Sequence, residues 1–154
     1  MEPWFVKSIL ATLSIVPSFL AIPFFKSKLG VDPLVFLIWY FGAAALSIAA
    51  ILVLNGRGAT LVPGAGAVIA AIAIGLTFGA LANGSLFLAI GMAPNPGLPP
   101  VVYASSSVIV FALSALLAGA FPSLFAPVST DLGRLAGVIL VLCGLYLLAG
   151  GRLP

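Results

Sequence analysis

Long apolar runs alternate with short polar or glycine- and proline-marked breaks along this chain. The runs fall at about residues 5–25, 33–54, 64–92, 98–120 and 132–150. Between them lie Lys26-Ser27-Lys28 with Gly30 and Asp32, then Asn55-Gly56-Arg57-Gly58, then Pro94-Asn95-Pro96-Gly97, and last the tract from Pro122 to Asp131. A helix that crosses a bilayer needs ~20 apolar residues, and most runs reach that length. A membrane barrel would instead show segments of about ten residues that alternate in polarity. These runs are apolar on every face and rich in Ala, Leu and Ile. In lipid only helices or closed barrels satisfy the backbone. The pattern therefore predicts an all-α integral membrane bundle of five transmembrane helices, forming one domain over residues 1–154.

Details within the runs refine the picture. Pro17 and Pro23 each remove a backbone donor and predict a kink or a loosened end in the first helix. That first run lacks a convincing small-residue cleavage site, so it reads as a retained helix rather than a signal peptide. Lys26, Ser27, Lys28, Gly30 and Asp32 are expected in the first loop, with Pro33 opening the second helix. Phe36, Trp39, Tyr40 and Phe41 suit an interfacial aromatic belt. The third run covers about 29 residues, which is ~43 Å of helix against a ~30 Å hydrocarbon core. It must tilt, bend or protrude, and Asn83-Gly84 is the expected place for a bend. Pro94-Asn95-Pro96-Gly97 reads as a tight turn, after which Pro99 and Pro100 fall in the first turn of the fourth helix.

Composition moves the reading from plausible to required. Hydrophobic residues make up 63% of the chain and charged residues 6%, with a mean hydropathy of +1.35. Soluble domains carry about 25% charged residues. The net charge of +3 arises from basic residues scattered singly near helix ends, as in membrane proteins, and no nucleic-acid partner is expected. Lys7, Arg57 and Arg134 fall on one side of a five-helix topology and Lys26, Lys28 and Arg152 on the other. The bias that orients most membrane proteins is absent. Two readings follow: a count too small to carry orientation, or insertion both ways.

Candidate chemistry is sparse. The chain has no histidine and one cysteine, Cys143, which excludes an internal disulfide and a Cys/His metal site. No metal, cofactor or catalytic constellation is expected, and the chain does not read as an enzyme. Asn83, at membrane depth in the third helix, either lines a substrate path or makes an interhelical hydrogen bond worth ~0.6–2 kcal/mol. Tyr103, Ser105, Ser106 and Ser107 face the same interior or bond their own backbone, at least one hydroxyl reaching a carbonyl four residues back. Thr77 is a further candidate for the path or for an interhelical bond. Gly75 with Gly79, and Gly133 with Gly137, are small residues four apart, a spacing that lets helices approach closely. Asp131 and Arg134 suit a pair three residues apart at the start of the fifth helix, with Ser129 or Thr130 as its N-cap. Phe121, Leu124 and Phe125 suit a loop lying in the interface.

The tract LFLAIGMAPNPGLPPVVYASSSVIVFALSALLAG resembles the junction between the third and fourth helices of EamA-like domains, in the drug/metabolite transporter superfamily. LGRLAGVILVLCGLYLL is similar to their last helix, with Gly137 and Gly144 at its two glycine positions, and KSKLGVDPLVFLIWYF to their first loop and second helix. Typical members carry ten helices in two inverted five-helix repeats around a substrate path. The resemblance implies one such repeat, in a multi-pass protein of the bacterial inner (cytoplasmic) membrane. A lone repeat would act as a pair, with itself as an antiparallel dimer or with another membrane protein. Transport of a small metabolite by that pair is one expected function. The alternative is a non-catalytic accessory subunit packed against a larger membrane complex, and a weaker third is a partner in flipping lipid or lipid-linked sugar. Two departures bear on this. The family's Glu after the fourth helix is replaced by Ala118-Gly119-Ala120-Phe121-Pro122. The only acids, Glu2, Asp32 and Asp131, lie at helix ends, so proton coupling through a buried carboxylate is unsupported.

Overall fold

The computed structural model describes residues 2–127, 131–148 and 150. All regular structure among them is helical. Contacts divide the chain into two compact units, Met1–Pro96 and Gly97–Pro154.

The first unit begins with α1, Pro3–Leu29. Proline fits its opening turn, where the missing N–H would lack a partner anyway. The helix runs unbroken through Pro17 and Pro23. It also takes in Lys26, Ser27 and Lys28, so the expected first loop shrinks to Gly30, Val31 and Asp32. Helix-favouring side chains win there over the polarity of the tract, and the stop is set by Gly30. Its φ is +65°, and the N–H groups of Gly30 and Val31 both donate to the carbonyl of Phe25. This left-handed closure is one that only glycine adopts without strain. Asp32 caps the next helix at once: its Oδ1 accepts from the Leu34 N–H at 2.7 Å. α2 then spans Pro33–Leu54, as the apolar run predicts.

A 3₁₀ turn at Gly58–Leu61 packs against α2 and leads to the third span. That span is continuous over Ala65–Met92, 28 residues, but not uniform. α3 covers Ala65–Ile74, a π turn covers Gly75–Gly79, and α4 covers Ala80–Met92. The break in regularity therefore sits at Gly75–Gly79. Asn83-Gly84, the place expected to bend, is ordinary α-helix. Asn83 donates to its own helix from Nδ2 to the Gly79 carbonyl at 2.8 Å and so reinforces the turn rather than opening it.

The core of this unit is small and lies on α4. Ile22 of α1 and Leu86, Phe87 and Ile90 of α4 are buried, and Phe19, Phe36, Leu37 and Tyr40 pack around them. α1 and α2 both contact α4. The C-terminal ends of α1 and α4 and the start of α2 meet at one end of the unit. There Lys26 Nζ donates to the Gly91 carbonyl at 2.7 Å, and the Pro33 ring lies against Gly91.

The second unit is a helical hairpin of α5, Leu98–Ala120, and α6, Leu132–Leu148. Pro99 and Pro100 occupy the first turn of α5, as expected. Val102 and Ser105 near its start lie beside Leu142, Leu145 and Tyr146 near the end of α6, so the two helices run antiparallel. Asp131 itself caps α6, its Oδ1 accepting from the Arg134 N–H at 2.9 Å. The expected caps, Ser129 and Thr130, and the terminal Arg152 lie outside the described residues. Among the described residues four helices are long and apolar enough to cross a membrane: α1, α2, the third span and α5. α6 has 17 residues, which is about 26 Å of helix and short of the ~30 Å core. The structure supports four candidate spans, and the expected count of five is not confirmed.

Candidate functional site

Most side chains on these helices point outward, as a lipid-facing protein requires. Among the described residues no polar or charged side chain is buried. Chemistry must therefore come from half-buried groups beside clefts, and each unit has one.

In the first unit a groove of about 320 Å³ is lined by Leu37, Ile38 and Phe41 of α2 and by Gly79, Ala80 and Asn83 of the third span. It is open and almost wholly apolar, with Asn83 as its polar member. Asn83 lies about 7 Å from the midpoint of the 28-residue span, well within a ~30 Å hydrocarbon core centred on that span. Its amide nitrogen is satisfied by the Gly79 carbonyl. Its amide oxygen accepts no hydrogen bond from the described residues, although an amide oxygen has two lone pairs to offer. Neither interhelical bond expected of this helix forms here. Thr77 Oγ1 donates instead to the carbonyls of Ala73 at 2.8 Å and Ile74 at 3.4 Å.

The second unit's cleft, about 190 Å³, is lined by Val102, Ser105, Leu142, Leu145 and Tyr146. Of the hydroxyl cluster only Ser105 reaches it, and its Oγ donates to the Val102 carbonyl at 2.7 Å. Ser107 donates to the Ala104 carbonyl at 2.6 Å. Both bonds span three residues rather than the expected four. Ser106 and Tyr103 are exposed. Asn83 and Thr77 thus belong to one unit and Tyr103 and the three serines to the other.

The small-residue pairs behave differently from expectation. A Cβ added at Gly75, Gly137 or Gly144 would meet nothing within 4 Å, at Gly79 only the Ile74 carbonyl of its own helix at 3.7 Å, and at Gly133 the Asp131 carboxylate at 3.2 Å. None of them serves a close helix approach within its unit. Gly84 and Gly91 do: a Cβ there would meet Leu34 Cδ2 at 3.6 Å and Pro33 Cγ at 2.7 Å. The seven-residue spacing of Gly84 and Gly91, bracketing Phe87, is the signal that marks this face.

The aromatic cluster is also reassigned. Phe36, Tyr40 and Phe41 turn toward Phe87, their ring centroids 6.1–6.2 Å from its own, with Phe19 at 6.3 Å from α1. Trp39 alone, 76% exposed, keeps the geometry of an interfacial anchor. Phe121 and Leu124 are exposed on a single helical turn after α5, as an interface-lying loop would have them. Asp131 and Arg134 form the expected pair at 3.8 Å. No group of three or more metal-ligating side chains occurs among the described residues. Comparison with family models, with curated proteins and with solved structures returned no match.

Proposed function

We propose that this chain is a half-size membrane transporter of a small metabolite, of the kind its resemblance to EamA-like domains implies, and that it works as a pair. The observation that carries the reading is the Asn83 amide oxygen. It is an acceptor left free beside an apolar groove within the membrane-spanning part of the third span. A polar group at that depth is costly unless something uses it. A solute with an N–H or O–H group and an apolar body fits the groove by chemistry. Pairing follows from the thin core, since few side chains are buried in either unit and small residues on open faces remain free for a second helix. A bacterial inner membrane is the setting that resemblance suggests.

The test is flux. Protein reconstituted into vesicles should carry a small amphiphilic solute above empty vesicles, and Asn83→Leu should cut that flux roughly fivefold to tenfold, the weight of one lost hydrogen bond. No flux for any solute tried, with Asn83→Leu indistinguishable from the parent, overturns the reading. A second reading draws on the absence of buried polar side chains among the described residues. Helices apolar on every face suit an accessory subunit equally well. Native mass spectrometry after gentle extraction separates the two: a mass of two copies supports the transporter, and a mass that includes a larger chain supports the subunit.

A further inference from the structure

The third span is clamped over one half and unattached over the other, and the π turn is where the two halves join. α4 carries four buried residues, Gly84, Leu86, Phe87 and Ile90, and is pinned at its end by Lys26 and Pro33. α3 carries none, and within its unit it contacts only the π turn that follows it. Its other end is joined through Val62, Pro63 and Gly64 to the 3₁₀ turn that packs on α2.

We propose that the π turn at Gly75–Gly79 is a rotary joint that lets α3 turn about its own axis while α4 stays fixed. In the π form the Ala80 N–H donates to the Gly75 carbonyl, five residues back. In an α form it donates to the Leu76 carbonyl, four residues back. That exchange takes one residue out of the wide turn. It rotates everything before it by about 100° and shifts it by about 1.5 Å along the axis. On a helix of ~5 Å outer radius the rotation moves a side-chain tip by about 8 Å. Within the unit the motion costs little packing, because no residue of α3 is buried and only Val68 is half-buried.

The local side chains are those such a joint needs. A widened turn loosens backbone bonds, and in lipid each loose carbonyl must find another donor. Thr77 Oγ1 donates to Ala73 and Ile74 and Asn83 Nδ2 to Gly79, so donors stand ready around the turn in either form. Glycine stands at both ends of the turn although packing demands it at neither. What glycine adds at such positions is conformational freedom. π turns inside α-helices also concentrate at functional sites. The joint borders the groove beside Asn83, so rotation of α3 would alter what reaches that groove, whatever the protein carries.

Spin-label distances in lipid nanodiscs test this, in a Cys143→Ser background. A pair at Ile69→Cys on α3 and Leu46→Cys on α2 spans the joint. A pair at Trp39→Cys on α2 and Met92→Cys on α4 does not. All four native side chains are at least 68% exposed, so the labels are tolerated. The first pair should show two distances and the second one. Gly75→Ala with Gly79→Ala narrows the freedom of the turn and should shift the two populations by about twofold or more. The proposal fails if the first pair gives one distance as narrow as the second. It fails if both pairs show two, or if the double alanine variant leaves the populations unchanged.

Discussion

The two halves of the third span are both apolar and have opposite roles. α3 reads AGAVIAAIAI and α4 reads ALANGSLFLAIGM, both apolar with scattered glycine. Only α4 is packed, and the difference lies in side-chain size rather than hydrophobicity. In lipid, burial against another helix gains nothing from apolarity alone, since the tails are as apolar as leucine. What holds helices is shape: a large group filling a hole and a small one admitting a neighbour. α4 offers both, with Phe87 between Gly84 and Gly91. α3 has uniformly small or medium side chains and nothing to interlock. Six substitutions probe this contrast, each read by unfolding in mixed detergent micelles with Trp4 and Trp39 fluorescence and circular dichroism.

The largest effect is expected at Phe87. Its ring meets four others, from α1 and α2, at 6.1–6.3 Å. Phe87→Ala should cost about 3 kcal/mol, at the low end for such a truncation because lipid replaces part of the lost contact. The matched change just before α4, Phe78→Ala in the π turn, removes a ring that is 73% exposed and should cost under about 0.5 kcal/mol. Equal losses at the two positions would erase the contrast.

Gly91→Ala comes next. The added methyl would lie 2.7 Å from Pro33 Cγ, a ring fixed to the backbone at the start of α2, and cannot be relieved by a rotamer change. Overpacking of this kind costs about 1–3 kcal/mol. A neutral result would mean that α2 and α4 separate freely and that the core is looser than its geometry.

How far the sequence carries can be judged from these same residues. The helices and their breaks were legible to within a few residues, because apolar length and turn residues act locally: α2 begins at Pro33 and ends at Leu54, where the run does. The core was not. With every face apolar there is no polarity stripe to read, so Phe36, Tyr40 and Phe41 looked like a belt when they line the Phe87 cluster. Small-residue spacing misled for the same reason. Gly75 and Gly79 fit the familiar spacing of four, yet the glycines that touch a neighbour are Gly84 and Gly91. A glycine pair is informative only with the large residue that fills the gap beside it. Asn83 was legible as an isolated polar group, but its bond to Gly79 and the π turn beneath it were not, since no residue pattern specifies a π turn.

Lys26 and Lys28 refine the comparison at the shared end of the unit. Both stand in the last turn of α1, and only Lys26 reaches the Gly91 carbonyl. A cation at the end of a helix meets the negative pole of the helix dipole and its unpaired carbonyls. Lys26→Met should cost about 0.5–1 kcal/mol at low salt, less as salt rises. Lys28→Met should be close to neutral. Equal small losses would reduce Lys26 to an ordinary interfacial lysine.

The smallest effect, and the one of opposite sign, belongs to Gly75. A methyl there meets no atom within 4 Å, in contrast to Gly91 sixteen residues on. The backbone of Gly75 is ordinary right-handed helix, with φ −62° and ψ −45°, so alanine adopts it without strain. Removing the glycine reduces the freedom of the less ordered states, which favours the helix by about 0.5 kcal/mol. Gly75→Ala should therefore raise stability slightly while Gly91→Ala lowers it, although both exchange a helical glycine for alanine in one span. A loss of more than about 1 kcal/mol at Gly75 would mean that another surface packs on α3 there. Native mass spectrometry of the same variant would then say whether that surface is a second copy, since a variant that stays folded but falls from two copies to one has lost its partner rather than its fold.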